Sequence, residues 1–544
     1  MSERDEPDGA EDDGRPITRR SAVRRLGAAG AGAALSGLGW GAGAGDGSAE
    51  ALGAPEVVGT RRAPDPPNVL FVMTDDHAAR ALGAYGGRLL DTPNLDRLAR
   101  EGALFENCFV TNSICCPSRA TMLTGTYSHR HGVYENLFGD KEPFDGSQPA
   151  YPALLRDAGY RTALVGKWHL KSEPTGFDHW NVLPWQGRYR NPRFVEKGDV
   201  GPGDATVREG EKTVHEGYAT DVITDLSIRT LEQRLEGDRP FCLLCHHKAP
   251  HRRWVPEEDK RGLFTGQDLP VPATFHDDWH NRAPAARHAE MRVANMPDWE
   301  EEQPAGMGPA ERKHWNYQRF IKQYLRTVAS VDESVGRLLE YLDRTGRAED
   351  TIVVYTTDNG FFLGEHGWYD KRFMYEESIR IPLLVRYPRG VEPGTVVRES
   401  ALNLDFARTF LDYAGVEPPA RMQGRSLRPL LEGRGEGSAG SGGSGSEGRP
   451  GTSPGWRDGW YYHYYEYPGP HRVRPHYGVR TDRHKLIYYY TVDQWELFDL
   501  RQDPHELNSV HGAPAYAEVR RRMTDRLREL RRRVGDDTGP EVPE

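Results

Sequence analysis

The run Asn68-Val-Leu-Phe-Val-Met-Thr-Asp75-Asp76-His77 carries the strongest fold signal in the chain. Its apolar residues are continuous and do not alternate with polar ones, which is typical of a strand buried on both faces of a parallel sheet. Two carboxylates follow at once, as they do where parallel strands end at the ligand-binding edge of an α/β sheet. The run therefore predicts an α/β fold whose parallel sheet carries a functional site at the edge where its strands end.

Three further apolar runs end in polar residues in the same way. They are residues 161–166 before Lys167 and His169, residues 240–245 before His251, and residues 350–356 before Asp358 and Asn359. Helical patterns between the runs supply the crossovers of a large, mostly parallel sheet flanked by helices. Because the carboxyl ends of parallel strands meet at one edge, we expect these polar side chains to lie close together.

A short motif, Cys115-Cys116-Pro117-Ser118-Arg119, precedes a helical pattern that ends near Gly125. Pro117 suits the first turn of a helix, so we expect both cysteines in the loop at the positive helix end, where anions bind. Taken alone, the motif is more typical of two buried cysteines beside a helix cap. The convergence of the strand ends favours the functional interpretation.

The composition restricts the class of protein. A chain of 544 residues is expected to form two domains, and its formal net charge of −10 argues against a nucleic-acid partner, which needs a concentrated basic surface. Five cysteines are too few and too badly spaced for a disulfide framework. Cys242 and Cys245 lie three apart in one apolar run, so we expect them on opposite faces of a strand in the core.

We expect three parts along the chain. Residues 1–60 form a signal and disordered segment, residues 61–403 an α/β domain, and residues 404–544 an α+β subdomain with a disordered Gly/Ser-rich insert at 434–455. Aromatic runs between 460 and 499 predict a smaller antiparallel sheet, and residues 515–534 a basic helix. Residues 173–216 are interpreted as a loop that shapes a pocket, and residues 256–309 as an irregular insertion.

The amino-terminal segment contains Thr18-Arg19-Arg20-Ser21-Ala22-Val23-Arg24, followed by a weakly apolar run from 26 to about 38. This arrangement resembles a twin-arginine export signal and predicts an exported protein that uses the twin-arginine export machinery. The run is too short and too rich in glycine for a stable membrane span. A disordered arginine-rich arm and an uncleaved anchor are the alternatives.

The polar residues at the strand ends indicate a metal-assisted reaction on an anion. Asp75, Asp76, Asp358 and Asn359 offer hard oxygen ligands, which favour Ca²⁺ or Mg²⁺ over zinc. Cationic and imidazole side chains could surround a tetrahedral oxyanion and stabilise developing charge. They are Arg119, Lys167, Lys371, His169 and His251. Cys115 is the candidate nucleophile.

The Cys115–Arg119 motif matches the Cys-x-Pro-Ser-Arg signature of formylglycine-dependent sulfatases, a family of the alkaline phosphatase superfamily. Gly166-Lys167-Trp168-His169-Leu170 and Thr357-Asp358-Asn359-Gly360, followed by Lys371, resemble the family's other motifs in the same order. The resemblance covers residues 67–534. It implies an alkaline-phosphatase-like fold and conversion of Cys115 to formylglycine by a formylglycine-generating enzyme. One departure is Lys171, where glycine is common, and this puts the shape of the pocket in doubt.

The resemblance also assigns roles. It implies metal binding by Asp75, Asp76, Asp358, Asn359 and modified Cys115, and it implies sulfate binding and proton transfer by Arg119, Lys167, His169, His251 and Lys371. In the family mechanism a hydrated aldehyde attacks sulfur while His251 or a neighbouring acid assists the leaving oxygen, and His169 then helps to expel sulfate. The division of acid and base among His169, His251 and Lys371 stays open.

The substrate expected from the resemblance is a sulfated carbohydrate, most like those of N-acetylglucosamine-6-sulfatases. Four residues are candidates for substrate binding: Lys248, Arg252, Trp254 and His366. Each could instead be ordinary packing at the rim of the site. The alternatives are an arylsulfatase of broad specificity, a phosphoester or phosphonate hydrolase of the same superfamily, and a binding protein without catalysis.

Overall fold

The computed structural model describes residues 66–201, 206–433 and 455–543. The predicted export signal at 1–60 lies outside the described residues, and so does the predicted disordered insert except for its last residue, Gly455. Both stay predictions, as does the division of the chain at residue 403. No helix in the described ranges is both long enough and apolar enough to cross a membrane.

The described residues form nineteen β-strands, whose lengths run from two to seven residues. In chain order they are β1 (Asn68–Thr74), β2 (Ala103–Phe105), β3 (Cys108–Phe109), β4 (Arg161–Lys167), β5 (His179–Leu183), β6 (Arg193–Glu196), β7 (Thr213–Val214), β8 (Phe241–His246), β9 (Thr351–Thr357), β10 (Phe362–Leu363), β11 (Tyr369–Asp370), β12 (Arg380–Ile381), β13 (Leu383–Arg386), β14 (Thr395–Val397), β15 (Ala401–Leu402), β16 (Gly459–Tyr464), β17 (His476–Thr481), β18 (His484–Tyr489) and β19 (Gln494–Asp499).

The same residues form eleven α-helices. They are α1 (Pro93–Arg100), α2 (Cys115–Thr124), α3 (Ser128–His131), α4 (Tyr151–Asp157), α5 (Ala219–Gln233), α6 (Pro284–Arg287), α7 (Pro309–Arg344), α8 (Glu376–Ile379), α9 (Asp405–Tyr413), α10 (Arg428–Leu431) and α11 (Ala517–Val534).

The main sheet has ten strands in the order β14-β2-β13-β9-β1-β8-β4-β5-β6-β7. Its centre, β9-β1-β8-β4-β5, is parallel throughout, whereas β13, β6 and β7 run antiparallel to their neighbours on the central side. The predicted α/β class with a large, mostly parallel sheet is confirmed. The four runs that suggested it, β1, β4, β8 and β9, are adjacent in this sheet.

The two faces of β1 explain its continuous apolar sequence. Val69 and Phe71 belong to one buried apolar cluster and Leu70 and Val72 to another, so each face of the sheet has its own core. Helices α2, α4 and α9 cover the first face, and α1, α5 and α7 cover the second. Cys242 lies in the first core and Cys245 in the second, so the two cysteines are on opposite faces of the sheet, as predicted.

The interpretation of residues 173–216 as a loop was wrong. The segment contains β5, β6 and β7, which extend the main sheet by three strands. Each of these strands has five residues or fewer, and glycines and prolines lie between them, so no periodic pattern develops. Pairing with β4, rather than the pattern of the segment itself, makes β5 a strand.

The carboxyl-terminal region forms the predicted antiparallel sheet, in the order β16-β17-β18-β19. Helix α11 packs on it through Met523, Leu527 and Leu530. The aromatic residues of this sheet lie in the buried apolar core, for example Tyr461 and Tyr477. Packing therefore accounts for the aromatic composition of these strands.

Candidate active site

The carboxyl ends of the four parallel strands meet at one edge of the sheet, as predicted. Asp75 and Asp76 follow β1, Lys167 is the last residue of β4, and Asp358 follows β9. Two hydrogen bonds hold the β1 and β9 ends together: the Asp76 N–H donates to Asp358 Oδ1 at 3.2 Å, and the Asp358 N–H donates to Thr74 O at 3.2 Å. The strand order therefore brings the carboxylates into one buried centre.

Cys115 is the first residue of α2 and not a residue of the preceding loop, so this detail of the prediction was wrong. Ile114 is the extended N-cap residue, and Pro117 is the third helical residue, where its missing N–H still costs nothing. The Cys116 N–H, one of the free donors of the first turn, donates to Asn136 Oδ1 at 3.1 Å. Cys115 thus stands at the positive end of the helix dipole.

The two cysteines face different surroundings. Cys115 Sγ lies 3.5 Å from Asp75 Oδ1, within the polar centre. Cys116 Sγ lies 3.0 Å from His169 O, and its side chain belongs to an apolar core cluster. Of the two, Cys115 is therefore the one placed to react at the centre.

The arrangement of oxygen and sulfur atoms suits a divalent cation. One ligand atom from each of Asp75, Asp76, Asp358 and Cys115 lies within 4.8 Å of the others, and all four residues are buried. Asn359 Oδ1 is buried without a hydrogen-bond partner in the described part of the chain, so this oxygen is available as a further ligand for the cation. Hard oxygen donors of this kind match Ca²⁺ or Mg²⁺, and the predicted metal ligands fit.

Three cations surround the carboxylates. Lys371 Nζ lies 2.7 Å and 2.8 Å from the two Asp76 carboxylate oxygens, and Arg119 Nε donates to Asp358 Oδ2 at 2.9 Å. Lys167 Nζ contacts Asp75 Oδ2. Each carboxylate has one principal cation, which offsets much of the cost of burying charge.

The pKa values of the carboxyl groups diverge in this environment. Burial by itself would raise the pKa of Asp75, but Lys167 and Arg119 hold it well below its usual range. Burial raises the pKa of Asp76, against the opposing charge of Lys371. Burial and the nearby Asp75 charge raise the pKa of Asp358 to about 7, although Arg119 opposes the shift. The pKa values of Asp76 and Asp358 are thus raised by burial and by neighbouring carboxylates even though three cations are present, and a bound cation would relieve the repulsion among the carboxylates.

The two predicted histidines differ in how they are held. His169 has φ 66°, and neither ring nitrogen has a hydrogen-bond partner within the described residues. His251 Nδ1 contacts Arg252 O, and its Nε2 lies 3.8 Å from Asp76 Oδ2. Burial lowers the pKa of both rings well below the usual value, so both are neutral at pH 7.

The four predicted substrate-binding residues occupy different surroundings. Lys248 lies over the Tyr189 ring at 5.0 Å, and Arg252 bonds to Asp298 at 2.7 Å. Trp254 belongs to an apolar cluster, and its Nε1 donates to Pro250 O at 2.6 Å. His366 is fully buried, 3.0 Å from Asp277. Their roles in binding stay predictions.

Several polar residues near the centre were missed by the sequence analysis. Gln186 Oε1 accepts from Lys167 Nζ. Gln186 follows the carboxyl end of β5, so the rule that flagged the other strand ends would have found it had β5 been recognised. Asp370 accepts from Arg372 at 2.6 Å and lies 2.7 Å from His471 Nε2. His471 is distant in sequence and gave no signal.

Residues 67–416 of the chain match the sequence model of a protein family described as Sulfatase. A second model, described as N-sulphoglucosamine sulphohydrolase, C-terminal, matches residues 448–533. The first match covers the four motif-bearing strand ends and Cys115, and it extends over more than half of the chain.

Curated proteins and solved structures agree with this result. An N-acetylglucosamine-6-O-sulfatase of Bacteroides thetaiotaomicron is 41% identical over 518 residues, which cover 87% of each chain. The human N-acetylglucosamine-6-sulfatase is 30% identical over 393 residues, 69% of this chain and 65% of that protein. A solved structure in complex with its substrate D-glucosamine-2-N,6-O-disulfate has a TM-score of 0.78 at 41% identity and covers 87% of this chain and 99% of that one.

Proposed function

The chain belongs to the sulfatase family of sulfuric ester hydrolases, and from this premise we propose that it removes the 6-O-sulfate from N-acetylglucosamine or a related sugar of a sulfated glycan. The observation that carries the proposal is the convergence of three carboxylates, three cations and Cys115 at one sheet edge. The names of the two similar curated proteins supply the sugar and the sulfate position.

We assign the divalent cation to Asp75, Asp76, Asp358 and Asn359, with Ca²⁺ as the first candidate and Mg²⁺ as the second. When bound, the ion would neutralise sulfate oxygens and favour ionisation of the nucleophile. The partnerless Asn359 Oδ1 supports its inclusion among the ligands. The residues themselves orient the centre, since Lys371 and Arg119 fix the Asp76 and Asp358 carboxylates.

Cys115, and not Cys116, is the residue proposed to become formylglycine through a formylglycine-generating enzyme. The hydrated aldehyde would supply a nucleophilic hydroxyl and a second hydroxyl for release of sulfate. The orientation of the two thiols supports this choice, since Cys115 Sγ faces Asp75 and Cys116 Sγ faces the core. Mass spectrometry of the active enzyme would reveal the aldehyde, and a fully active preparation with unmodified Cys115 would contradict the assignment.

Proton transfer is assigned to the two histidines by their hydrogen bonds. His169 has both ring nitrogens without partners, so it can accept a proton as the base. The Nδ1–H of His251 donates to Arg252 O, which leaves the unprotonated Nε2 facing the centre; once Nε2 has taken up a proton there, His251 can pass it on to the leaving oxygen. Lys371 and Lys167 then act as fixed positive charges rather than as acids, because each is bonded to a carboxylate.

The test of the proposal is release of sulfate from N-acetylglucosamine-6-sulfate by protein made together with the maturation enzyme. We expect turnover by the wild type and none by Cys115→Ala. A panel of sulfated aryl esters and of 2-O- and 3-O-sulfated sugars measures the selectivity. Hydrolysis of the aryl esters alone would contradict the glycan assignment while leaving the sulfatase chemistry intact.

Export through the twin-arginine machinery is part of the same proposal and rests on residues 18–38. Export of an already folded protein suits an enzyme whose cysteine is modified in the cytoplasm first, which supports this choice. Changing Arg19 and Arg20 to lysine should keep active enzyme inside the cell. Unchanged export of the double variant would contradict this part of the proposal.

A further inference from the structure

Two buried cations near the active site form no ion pair with a carboxylate of the described residues. Lys171 and Arg208 are each 8% exposed, and neither forms an ion pair within the described residues. Lys171 Nζ donates to the carbonyl oxygens of Gly139 at 3.0 Å and Lys141 at 2.5 Å. Arg208 Nη2 donates to Leu137 O at 3.1 Å, while its Nε is buried without a partner. The pair thus carries two positive charges and a free donor.

The two cations belong to segments that neighbour the candidate active site. Gln186 contacts Lys167 of the centre, and its neighbour Trp185 has the Arg208 guanidinium over its ring at 3.4 Å. Lys171 lies two residues after His169. The N–H of Val207, the residue before Arg208, donates to Lys171 O at 3.0 Å. Arg208 is therefore linked to Lys167 through the adjacent residues Trp185 and Gln186, and Lys171 is linked to His169 through the chain.

Energetics favour an anion beside these residues. Burial and Arg208 lower the pKa of Lys171, while the carboxylates of Glu142, Asp140 and Glu209 act in the opposite direction, so Arg208 is the cation of the pair that has no carboxylate nearby among the described residues. A buried charge without a counterion is costly, and the penalty is largely removed when an anion binds. Burial lowers the pKa of Arg208 to about 10, in line with a guanidinium that has no carboxylate partner. Lys171 has φ 61°, a left-handed conformation that favours glycine.

We propose that Lys171, Arg208 and Trp185 form a second anion subsite, which binds a further anionic group of the glycan whose sulfate ester is cleaved. The inference rests on the proposed function. The ligand chemistry is that of a sulfate or a carboxylate, which could be an N-sulfate on the same glucosamine or the carboxylate of an adjoining uronate. A guanidinium and an ammonium bind both groups through charge-assisted hydrogen bonds.

The subsite makes the enzyme selective for doubly anionic substrates. The first measurement compares kcat/KM for glucosamine-2-N,6-O-disulfate with kcat/KM for N-acetylglucosamine-6-sulfate. A third substrate, a disaccharide of a uronate and N-acetylglucosamine-6-sulfate, separates carboxylate from N-sulfate as the second anion. We expect the wild type to prefer at least one doubly anionic substrate by about tenfold, the effect of one charge-assisted hydrogen bond.

Lys171→Met and Arg208→Gln remove one charge each, and Lys171→Arg restores the charge at the first position. Both neutral variants should lower the selectivity ratio towards one, and Lys171→Arg should recover most of it. Lys141→Met is the matched control, because this lysine is exposed on the loop next to Lys171 and pairs with Glu135. Its selectivity ratio should equal that of the wild type.

A structural role for the two cations gives a different result. If they only hold the carbonyl groups of residues 137–141, the variants slow all substrates by the same factor and leave the ratio unchanged. That result overturns the proposal, and so does a wild-type ratio of one with both doubly anionic substrates.

A binding measurement keeps the inference separate from the proposed function. Calorimetry with glucosamine-2-N-sulfate and with free glucuronate, which carry no 6-O-sulfate, needs no turnover. Binding of one of them by the wild type and its loss in both neutral variants supports the subsite even if no ester is hydrolysed. Equal binding by the wild type and both variants, or binding of neither compound, overturns it.

Discussion

Two groups of buried charges in this molecule contain the same kinds of side chain and differ in how completely these are paired. Asp405, at the start of α9, is fully buried, and each of its carboxylate oxygens accepts two hydrogen bonds. Oδ1 accepts from Arg457 Nη2 at 2.7 Å and from the Arg425 N–H at 2.8 Å. Oδ2 accepts from Arg457 Nη1 at 2.5 Å and from the Leu402 N–H at 2.8 Å.

The candidate active site is paired incompletely. Asn359 Oδ1 and both ring nitrogens of His169 have no partner in the described part of the chain, and three carboxylates lie close together. Burial of charge is therefore common to a structural pair and to a reactive centre. What distinguishes the centre is the set of acceptors left over, which gives a cation and a substrate something to bind.

The largest effect is expected from Asp358→Asn, which keeps the shape of the side chain and removes its charge. Sulfate release should fall by a factor on the order of a thousand, because the side chain is a proposed metal ligand and fixes Arg119. The metal-free protein should stay folded but lose some stability, because Arg119 loses its principal partner and keeps Asp75 at 3.8 Å. Turnover at the wild-type rate would show that the centre is not the site of reaction.

Arg457→Met tests the fully paired group. Asp405 would lose two of its four hydrogen bonds and remain as a buried, uncompensated carboxylate, so the free energy of unfolding should fall by roughly 3–5 kcal/mol. Denaturant titration gives the change, and kcat measured on the remaining folded protein should match that of the wild type. If Arg457→Met kept the stability of the wild type but lost its activity, the Asp405–Arg457 pair would serve the reaction and not the stability of the fold.

The fold could be predicted from sequence where a segment carries its own pattern. Continuous apolar runs identified β1, β4, β8 and β9, and their polar ends gave the functional edge. Strands β5, β6 and β7 could not be found in this way, because short strands at the sheet periphery depend on pairing with a neighbour. Tertiary context decides such segments, and local sequence does not.

The same limit applies to the candidate site. Asp75, Asp76 and Asp358 were predictable because each directly follows a recognisable strand. The pairing of Asp370 with His471 joins segments about a hundred residues apart, so no local spacing could reveal it. The start of α2 was misplaced by two residues because Pro117 is tolerated anywhere in the first turn.

The change in Tm on adding or removing metal should differ between a variant of the candidate active site and a variant of the Asp405–Arg457 pair. A cation that binds only the folded protein stabilises it by mass action, about 2.7 kcal/mol at a hundredfold excess over Kd. We expect Ca²⁺ to raise the Tm of the wild type and of Arg457→Met by similar amounts, and a chelator to reverse the rise. Asp358→Asn should lose most of the shift. An equal shift in all three proteins would locate the cation elsewhere.

The smallest effect concerns a third buried group, in which the pairing itself depends on pH. His366 Nδ1 lies 3.0 Å from Asp277 Oδ2, Nε2 lies 3.8 Å from Glu377, and Arg282 faces the same Asp277 oxygen at 2.7 Å. Burial and Arg282 disfavour the charged ring, but the two carboxylates prevail and raise the pKa of His366 to about 9. The ring is therefore charged and paired at neutral pH.

Because this pKa is higher in the folded protein than its ordinary value of about 6.5, the pairing stabilises fully below pH 6.5 and is lost as the pH rises through about 9. The free energy of unfolding should fall by on the order of 2 kcal/mol over this interval, and His366→Gln should flatten the fall. His280→Gln is the control, since this ring is 70% exposed. The same slope in all three proteins would mean that the ring does not titrate in this window and that the group is as permanently paired as Asp405 and Arg457.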